Sequence, residues 1–363
     1  MTPRVAFDVG PLQGRRTGIG RAVAALADAL AERDDVDLQP FVTSFRARPE
    51  AGTRRLPLPA VAAHRLWGHL DRPRVDRWLG SADLVHGTNY VVPPSRLPRL
   101  VSVYDCWFLL HPDQAHPAVV RAGTVLARSI AAGATVHCSS DATAATLRRL
   151  FPGVDTCTVH LGALPLAAPP TTCPIPELDG PEFVLSTATL ERRKNLPRLI
   201  EAFGLLAHQR RDVRLVLAGG DGDDRPRIEA AIDALDPEVS QRVLLTGFVD
   251  DAVRSWLLHH ARVLAYPSLD EGFGFPLLDA MQAHVPVVAA RAGSIPEVAG
   301  DAAVLVPVDD TSALAEALHH VLDDDAARAR LVAAGLERVA TFTWHATAAS
   351  MASLYRRLGG SPT

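Results

Sequence analysis

The sequence predicts an α/β protein of two doubly wound domains, and three observations carry that prediction. Short apolar runs bounded by turn residues alternate with amphipathic stretches at helical spacing along nearly the whole chain, the pattern of parallel sheets covered by crossover helices. Each half contains a strand-like run, a glycine-rich loop and a helix, which aims unpaired backbone N–H groups beyond the strand's carboxyl end. Between the halves lie Pro165, Pro169, Pro170, Pro174, Pro176 and Pro181, a composition that marks a linker or boundary. A chain of 363 residues that is 48% hydrophobic is long enough and apolar enough for two cores of ordinary size. The expected division is 1–172, 173–343 and a closing segment 344–363.

In the first half, Val5–Val9 reads as a buried strand. It runs into a loop, Gly10–Gly20, with glycines at 10, 14, 18 and 20, and then a helix carrying Val23, Leu26, Ala27 and Leu30. Gly18-x-Gly20 lacks the third glycine of a dinucleotide fingerprint, and no ribose-binding acid follows the next strand, Leu38–Thr43, so NAD is a poor fit. Residues 46–60, rich in Arg and Pro, read as an exposed loop. Further strands are expected at Leu84–His86, Leu100–Tyr104, Thr135–Cys138 and Thr158–Leu161, with helices near Pro117–Ala132 and Asp141–Leu150.

The second half repeats the alternation. Strands are expected at Phe183–Ser186, Val213–Ala218, Val243–Thr246 and Val304–Val306. Helices are expected at Leu196–Ala207, Arg225–Leu235, Ala252–His259, Ser312–Leu322 and Ala326–Val339. Ala348, Met351, Leu354 and Leu358 suit a last helix. The chemistry concentrates between Val263 and Glu297. There Arg262–Tyr266 reads as a strand, followed by a loop with Glu271, Gly272 and Gly274 and a helix opening at Pro276, where a missing N–H is harmless. Glycine lets backbone approach a ligand, and a helix N-terminus favours an anion. Glu271 and Asp279 frame this loop. Either they complement the helix dipole or they contact a ligand.

Composition excludes several classes. The net charge of −4 hides an asymmetry: residues 1–172 hold 19 arginines against 14 acids, whereas 173–363 hold 18 basic residues against 27 acids. Eight arginines fall between Arg46 and Arg77. That stretch suits an anionic acceptor, a membrane face or merely a solvated surface, and sparse aromatics argue against nucleic acid. Cys106, Cys138, Cys157 and Cys173 are scattered without a C-x-x-C pair, which argues against structural zinc and a disulfide frame. No apolar run reaches the roughly 18 residues of a spanning helix, and no leader is visible. A cytoplasmic protein, peripheral to the inner membrane face at most, is expected.

Lys194 is the single lysine among 37 basic residues. It stands in Glu191-Arg-Arg-Lys-Asn195, between a strand and a helix. A compact ammonium fits among backbone N–H groups around a diphosphate where a planar guanidinium does not. The alternative is an accidental surface lysine.

The pattern Glu271-x7-Asp279, with Val285-Pro-Val-Val and Gly293-Ser-Ile-Pro-Glu297, resembles the donor-site signature of the family-4 retaining glycosyltransferases of GT-B architecture, the glycosyl transferases group 1. The resemblance extends over nearly the whole chain and implies two Rossmann-like domains facing a cleft, with the closing helix crossing back to the first. It implies transfer of a sugar from a nucleoside-diphosphate donor to a hydroxyl acceptor (glycan, lipid-linked or small molecule), with retention and without a cofactor or metal. Arg193 and Lys194 would bind the diphosphate, Asp279 the ribose and Glu271 the sugar hydroxyls. Gly272, Phe273, Gly274 and Phe275 would present backbone N–H groups to the donor. The loop with Gly18 and Gly20 would face donor phosphate and acceptor. Two departures stand out: Asp279 replaces the usual second glutamate, and Tyr104-Asp105 stands where the family has His-Asp. Tyrosine there would favour a 6-deoxy sugar donor. His86, ending a neighbouring strand, is a further cleft candidate or a structural histidine. Two rival readings are a sugar-nucleotide epimerase or hydrolase, and a non-catalytic nucleotide-sugar binding protein.

Overall fold

The computed structural model describes residues 2–14, 18–45 and 51–360. Contacts divide the chain into two compact units, one of Met1–Gly162 with Phe342–Thr363 and one of Ala163–Thr341.

The first unit is built on a seven-stranded parallel sheet. Its strands are β1 (Arg4–Asp8), β2 (Asp37–Thr43), β3 (Arg54–Leu56), β4 (Leu84–Gly87), β5 (Arg99–Val103), β6 (Thr135–Cys138) and β7 (Thr156–Thr158). The order β3-β2-β1-β4-β5-β6-β7 reverses direction between β1 and β4, the topological switch point of a doubly wound sheet. β4, β5 and β6 are buried throughout, which is why they read as unbroken apolar runs without alternation. The closing helix Trp344–Gly359 belongs to this unit and buries Met351, Leu354 and Tyr355. Gly162 permits this crossing: a Cβ there would lie 2.5 Å from the Trp344 backbone nitrogen.

The second unit carries a six-stranded parallel sheet of β8 (Glu182–Thr187), β9 (Val213–Ala218), β10 (Val243–Gly247), β11 (Val263–Tyr266), β12 (Val287–Ala290) and β13 (Ala303–Val306). The order is β10-β9-β8-β11-β12-β13, with its switch point between β8 and β11. Leu199, Ile200, Phe203, Leu215, Leu217, Val263, Leu318 and Val321 form part of its core. Helix starts obey their local chemistry: Asp250, Asp310 and Asp324 each accept a backbone N–H of the first turn, as N-cap residues do.

Three expectations need correction. The units part after Gly162, ten residues before the expected boundary. The reason is that Gln282 Nε2 donates to the Leu164 carbonyl at 3.0 Å and Ser255 Oγ to the Ala167 carbonyl at 2.6 Å, so the front of the proline-rich run is fastened to the second unit. Within the expected loop 46–60, residues 54–56 form β3 because they extend the sheet beside β2. The last strand of the first unit is Thr156–Thr158 rather than Thr158–Leu161, and it pairs with β6.

Candidate functional site

The second unit's switch point is flanked by two loops, 188–195 after β8 and 267–274 after β11. Backbone contacts lock the first loop in place. A Cβ at Gly219 would meet the Ala188 carbonyl at 1.8 Å, and one at Gly222 the Leu190 carbonyl at 2.4 Å. The glycine run after β9 therefore lets its chain lie directly against this loop. Residues Arg192–Lys194 make one 3-10 turn, closed by Asn195 in the left-handed region at φ 53°, a conformation asparagine tolerates better than most residues.

The two loops are tied together by five contacts. Leu269 N donates to the Arg193 carbonyl at 2.8 Å and Asn195 Nδ2 to the Pro267 carbonyl at 3.2 Å. Arg193 Nη1 donates to the Asp270 carbonyl at 3.1 Å and lies 2.6 Å from Glu271 Oε2. Lys194 Nζ lies 2.5 Å from Glu271 Oε1, and it also donates to the Tyr266 hydroxyl at 3.3 Å. Glu271 and Lys194 are both buried, at 7% and 8% exposure. Burial works to raise the Glu271 carboxyl, but the Lys194 and Arg193 charges and hydrogen bonds outweigh it and bring it down to about 2. Burial pulls the Lys194 ammonium below its ordinary value, with Arg193 adding to the effect and Glu271 opposing it. Glu191 also lies 3.8 Å from Arg193 Nη2, so the two cations are held by one buried carboxylate and one more exposed one.

Gly293, which opens Gly293-Ser-Ile-Pro-Glu297, packs against this cluster. Its φ is 48°, and a Cβ there would lie 2.3 Å from Asp270 Oδ1 and 2.5 Å from the Glu271 carbonyl. Ser294 N then donates to that carbonyl at 2.9 Å. Gly274, at φ 99°, caps helix Phe275–Gln282, so Pro276 takes its second rather than first position. Gly272 and Phe273 are buried in the loop before it, and Phe273 packs edge-on against Phe275 with ring centroids 5.3 Å apart.

Asp279 lies on the same helix and is buried, and its ion-pair partner is a different one. Its Oδ2 is ion-paired with Arg254 of helix Asp251–His260. Sequence reasoning did not single out Arg254, since an arginine on a helix carries no signal before its partner is known.

In the first unit the candidates scatter. His86 is fully buried, with Nδ1 2.8 Å from the Tyr355 hydroxyl and Nε2 2.8 Å from Ser102 Oγ. Burial, with His137 nearby, holds it well below the usual histidine value. It is a neutral core residue, not a ligand-facing one. Tyr104 donates its hydroxyl to the Thr88 carbonyl at 2.8 Å, and burial raises its pKa. Its polar atom is therefore turned into its own unit, which removes the argument for a 6-deoxy sugar. Asp105 accepts from the Tyr90 hydroxyl and the Trp107 backbone N, each at 3.1 Å. Gly18 and Gly20 sit in the first turn of helix Gly18–Ala31 rather than in a loop. Of the basic stretch, Arg46 and Arg48 lie outside the described residues. Arg54, Arg55, Arg65, Arg72, Arg74 and Arg77 are exposed, and helix Ala60–Leu70 exposes Val61, Leu66 and Leu70 beside them. Among the described residues no group of three or more His, Cys, Asp or Glu is placed to hold a metal, and no helix is long and apolar enough to cross a membrane.

Two doubly wound parallel sheets on one chain, the second with chemistry-bearing loops at its switch point, define a protein of GT-B architecture. Residues 174–338, within the second unit, match the glycosyl transferases group 1, so the chain carries a glycosyltransferase domain of that kind. The chain is similar to the O-antigen chain mannosyltransferase B of Escherichia coli, with 29% identity across 98% of this chain and 100% of that one. It is also similar to the phosphatidyl-myo-inositol mannosyltransferase of Mycolicibacterium smegmatis, with 33% identity over 47% of this chain and 44% of that one. Among solved structures, sucrose-phosphate synthase from Thermosynechococcus elongatus superposes with a TM-score of 0.73 at 23% identity, over 99% of this chain and 100% of the other. WaaG, a glycosyltransferase of lipopolysaccharide biosynthesis, does so at 0.66 and 16%, over 98% and 99%. At those identities the likeness is one of fold.

Proposed function

We propose that the protein transfers a hexose from a nucleoside-diphosphate sugar to a hydroxyl of a glycan or lipid-linked acceptor, with retention and without a divalent metal. The observation that supports this most is the cluster of Arg193, Lys194 and Glu271 at the second unit's switch point. Its two cations, with the N-terminus of helix Phe275–Gln282 on the neighbouring loop, are suited to the charge that develops on a departing nucleoside diphosphate, the role a metal plays elsewhere. No cofactor is needed for this reaction. A diphosphate entering the cluster competes with Glu271 for Lys194 and Arg193, and the released carboxylate is then free to accept from sugar hydroxyls.

Glu271 is a poor proton acceptor at about 2, because an effective general base has a pKa near the working pH. The acceptor's proton is better taken by the leaving diphosphate oxygen on the same face of the sugar, which is the route that retains configuration. The likeness to mannosyltransferases makes mannose the first sugar to test. The exposed arginines and leucines around helix Ala60–Leu70 suit an anionic bilayer surface, which cosedimentation with anionic vesicles checks.

The test is a thermal-shift screen of nucleoside-diphosphate hexoses, followed by transfer assays with and without excess chelator. A ligand bound only by the folded protein raises its melting temperature. At least one donor is expected to stabilise the protein and to be turned over equally well with chelator present. Activity lost to chelator and restored by magnesium or manganese would contradict the phosphate-site assignment. Release of free sugar at the same rate whether or not an acceptor is present would favour a hydrolase.

A further inference from the structure

Tyr266 closes β11, and its hydroxyl joins the cluster of Lys194, Arg193 and Glu271. The residue is 1% exposed, so its polar tip must be bonded or costs stability. The hydroxyl accepts from Lys194 Nζ at 3.3 Å, and that nitrogen also stands 5.2 Å from the ring centroid. A phenol has one hydrogen to give, and here it goes to Glu271, whose carboxyl it helps to hold down. Burial and the Glu271 charge push the phenol itself well above its ordinary value, so it stays a donor at any working pH. The charged groups around it are Glu271, Lys194 and Arg193. The two cations reach the cluster on long stems from the loop 188–195, and such stems turn freely. The tyrosine does not share that freedom. Its ring rises from a fully buried strand, and the next carbonyl, that of Pro267, is held by Asn195 Nδ2 at 3.2 Å.

We propose that Tyr266 is a positioning residue of the donor site: it keeps Glu271 aimed at the sugar when the diphosphate draws Lys194 and Arg193 toward itself. This rests on the transfer reading above and adds to it the residue through which Glu271 passes from its resting partners to the sugar. Without a ligand, Glu271 is held by Lys194, Arg193 and Tyr266. A diphosphate competes for the two cations, which bind phosphate oxygens strongly. The phenol is the donor least able to follow, because its strand is fixed and its ring turns about two side-chain bonds only. A buried carboxylate stripped of all its donors takes up a proton, and a neutral carboxyl accepts less strongly from a sugar hydroxyl than a charged one. One retained hydrogen bond to the charged form works against that protonation. The ring alone cannot supply it. Phenylalanine fills the same space and therefore isolates the hydroxyl.

The experiment uses the full chain as wild type, Tyr266→Phe, Glu271→Gln and the double variant, with ligand-free melting curves to report that each is folded. Calorimetric titration compares UDP, GDP, ADP and dTDP with their glucose and mannose conjugates. The readout is the affinity of each sugar-bearing nucleotide relative to its bare diphosphate. Wild type should bind at least one such pair. Tyr266→Phe should lower the relative affinity of the sugar-bearing form about tenfold, the effect of one hydrogen bond to a charged group. In the Glu271→Gln background the same substitution should change it by no more than about twofold, since residues that act through one another are not additive. If Tyr266→Phe weakens the bare and the sugar-bearing nucleotide equally, or weakens neither, the tyrosine serves the fold and the assignment is overturned. An equal loss with and without the Glu271 carboxylate overturns it too, because Tyr266 then does not act through that group. Wild type that binds no nucleotide of the panel removes the transfer reading and this assignment together.

Discussion

Lys194 and Glu271 are direct partners, Nζ to Oε1 at 2.5 Å, although they lie 77 residues apart in sequence. Each closes a loop beyond the carboxyl end of a strand, and β8 and β11 are neighbours. The pairing means that neither residue's role can be tested without disturbing the other.

Lys194→Ala leaves Glu271 buried with Arg193 as its remaining cation. Breaking a buried pair by deleting one partner costs about 3–5 kcal/mol, and the remaining guanidinium should hold the loss to the low end. Transfer should slow about tenfold to a thousandfold, the range for removing one charge-stabilising donor. Combining Lys194→Met with Glu271→Gln removes one charge of each sign and leaves Arg193 to Glu191, 3.8 Å away, so it should recover most of the stability but none of the rate. Denaturant melts and single-turnover kinetics separate the two effects. A double variant that regains activity along with stability would show that Lys194 serves the fold only.

Much of this site was legible in the sequence, and the reason is local. Lys194 stood out because every other basic residue is arginine. Gly272 and Gly274 announced a strand–loop–helix turn, since backbone demands leave a mark on residue type. What stayed hidden was pairing across the sheet. Nothing in the chain marks Arg254 as the partner of Asp279, or Tyr355 as the partner of His86, because side-chain contacts between distant elements depend on register and strand order. For the same reason Tyr104 read as a ligand contact until its hydroxyl was seen to close on Thr88. The glycine of Gly293-Ser-Ile-Pro-Glu297 was legible as a motif, but its task, making room beneath Glu271, required the fold.

The first unit holds a buried chain of hydrogen bonds whose directions follow from one end. The Val159 carbonyl accepts only, so His137 Nε2 donates to it at 3.1 Å. His137 Nδ1 must then accept from Ser102 Oγ, Ser102 accepts from His86 Nε2, and His86 Nδ1 accepts from Tyr355, each at 2.8 Å. Both histidines are thereby fixed as neutral tautomers, and burial brings His137 down to about 4. Their folded pKa values lie below the unfolded value, so the unfolded chain binds more protons as pH falls below about 6.5. Their stabilisation is complete above that pH and is lost as pH falls below it, down to about 4 for His137, at up to about 1.4 kcal/mol per pH unit for each histidine. Asp8 works in the other sense: its raised carboxyl favours the folded state at low pH, and that contribution is lost as pH rises through about 7. The acid loss should therefore steepen in Asp8→Asn. Tyr355→Phe should cost about 1–3 kcal/mol at neutral pH by leaving His86 Nδ1 without a donor. Melting curves from pH 4 to 8 on the three proteins check both statements, and a flat acid limb in Asp8→Asn would remove the histidine account.

The family resemblance gives Asp279 the donor ribose, but its Oδ2 is already held by Arg254, and an aspartate reaches less far than the usual glutamate. A carboxylate fixed by a guanidinium on one side still accepts hydroxyl hydrogens on the other, and it does so without reorganising when the nucleoside arrives. Arg254 is then a positioning residue that acts through Asp279. If so, wild type should bind a ribonucleoside diphosphate about tenfold more tightly than its 2′-deoxy counterpart, the effect of one hydrogen bond to a charged group. Asp279→Ala should abolish that preference, and Arg254→Ala should reduce it while also lowering stability, because it leaves a buried carboxylate without its cation. The double variant should lose no more discrimination than Asp279→Ala alone, since contacting residues are not additive. A loss of fold alone would weaken both nucleotides equally, so calorimetric titration of the pair distinguishes positioning from packing. Equal affinity of wild type for the ribo and deoxy forms would withdraw the ribose from Asp279 and leave its ion pair with Arg254 as a structural one.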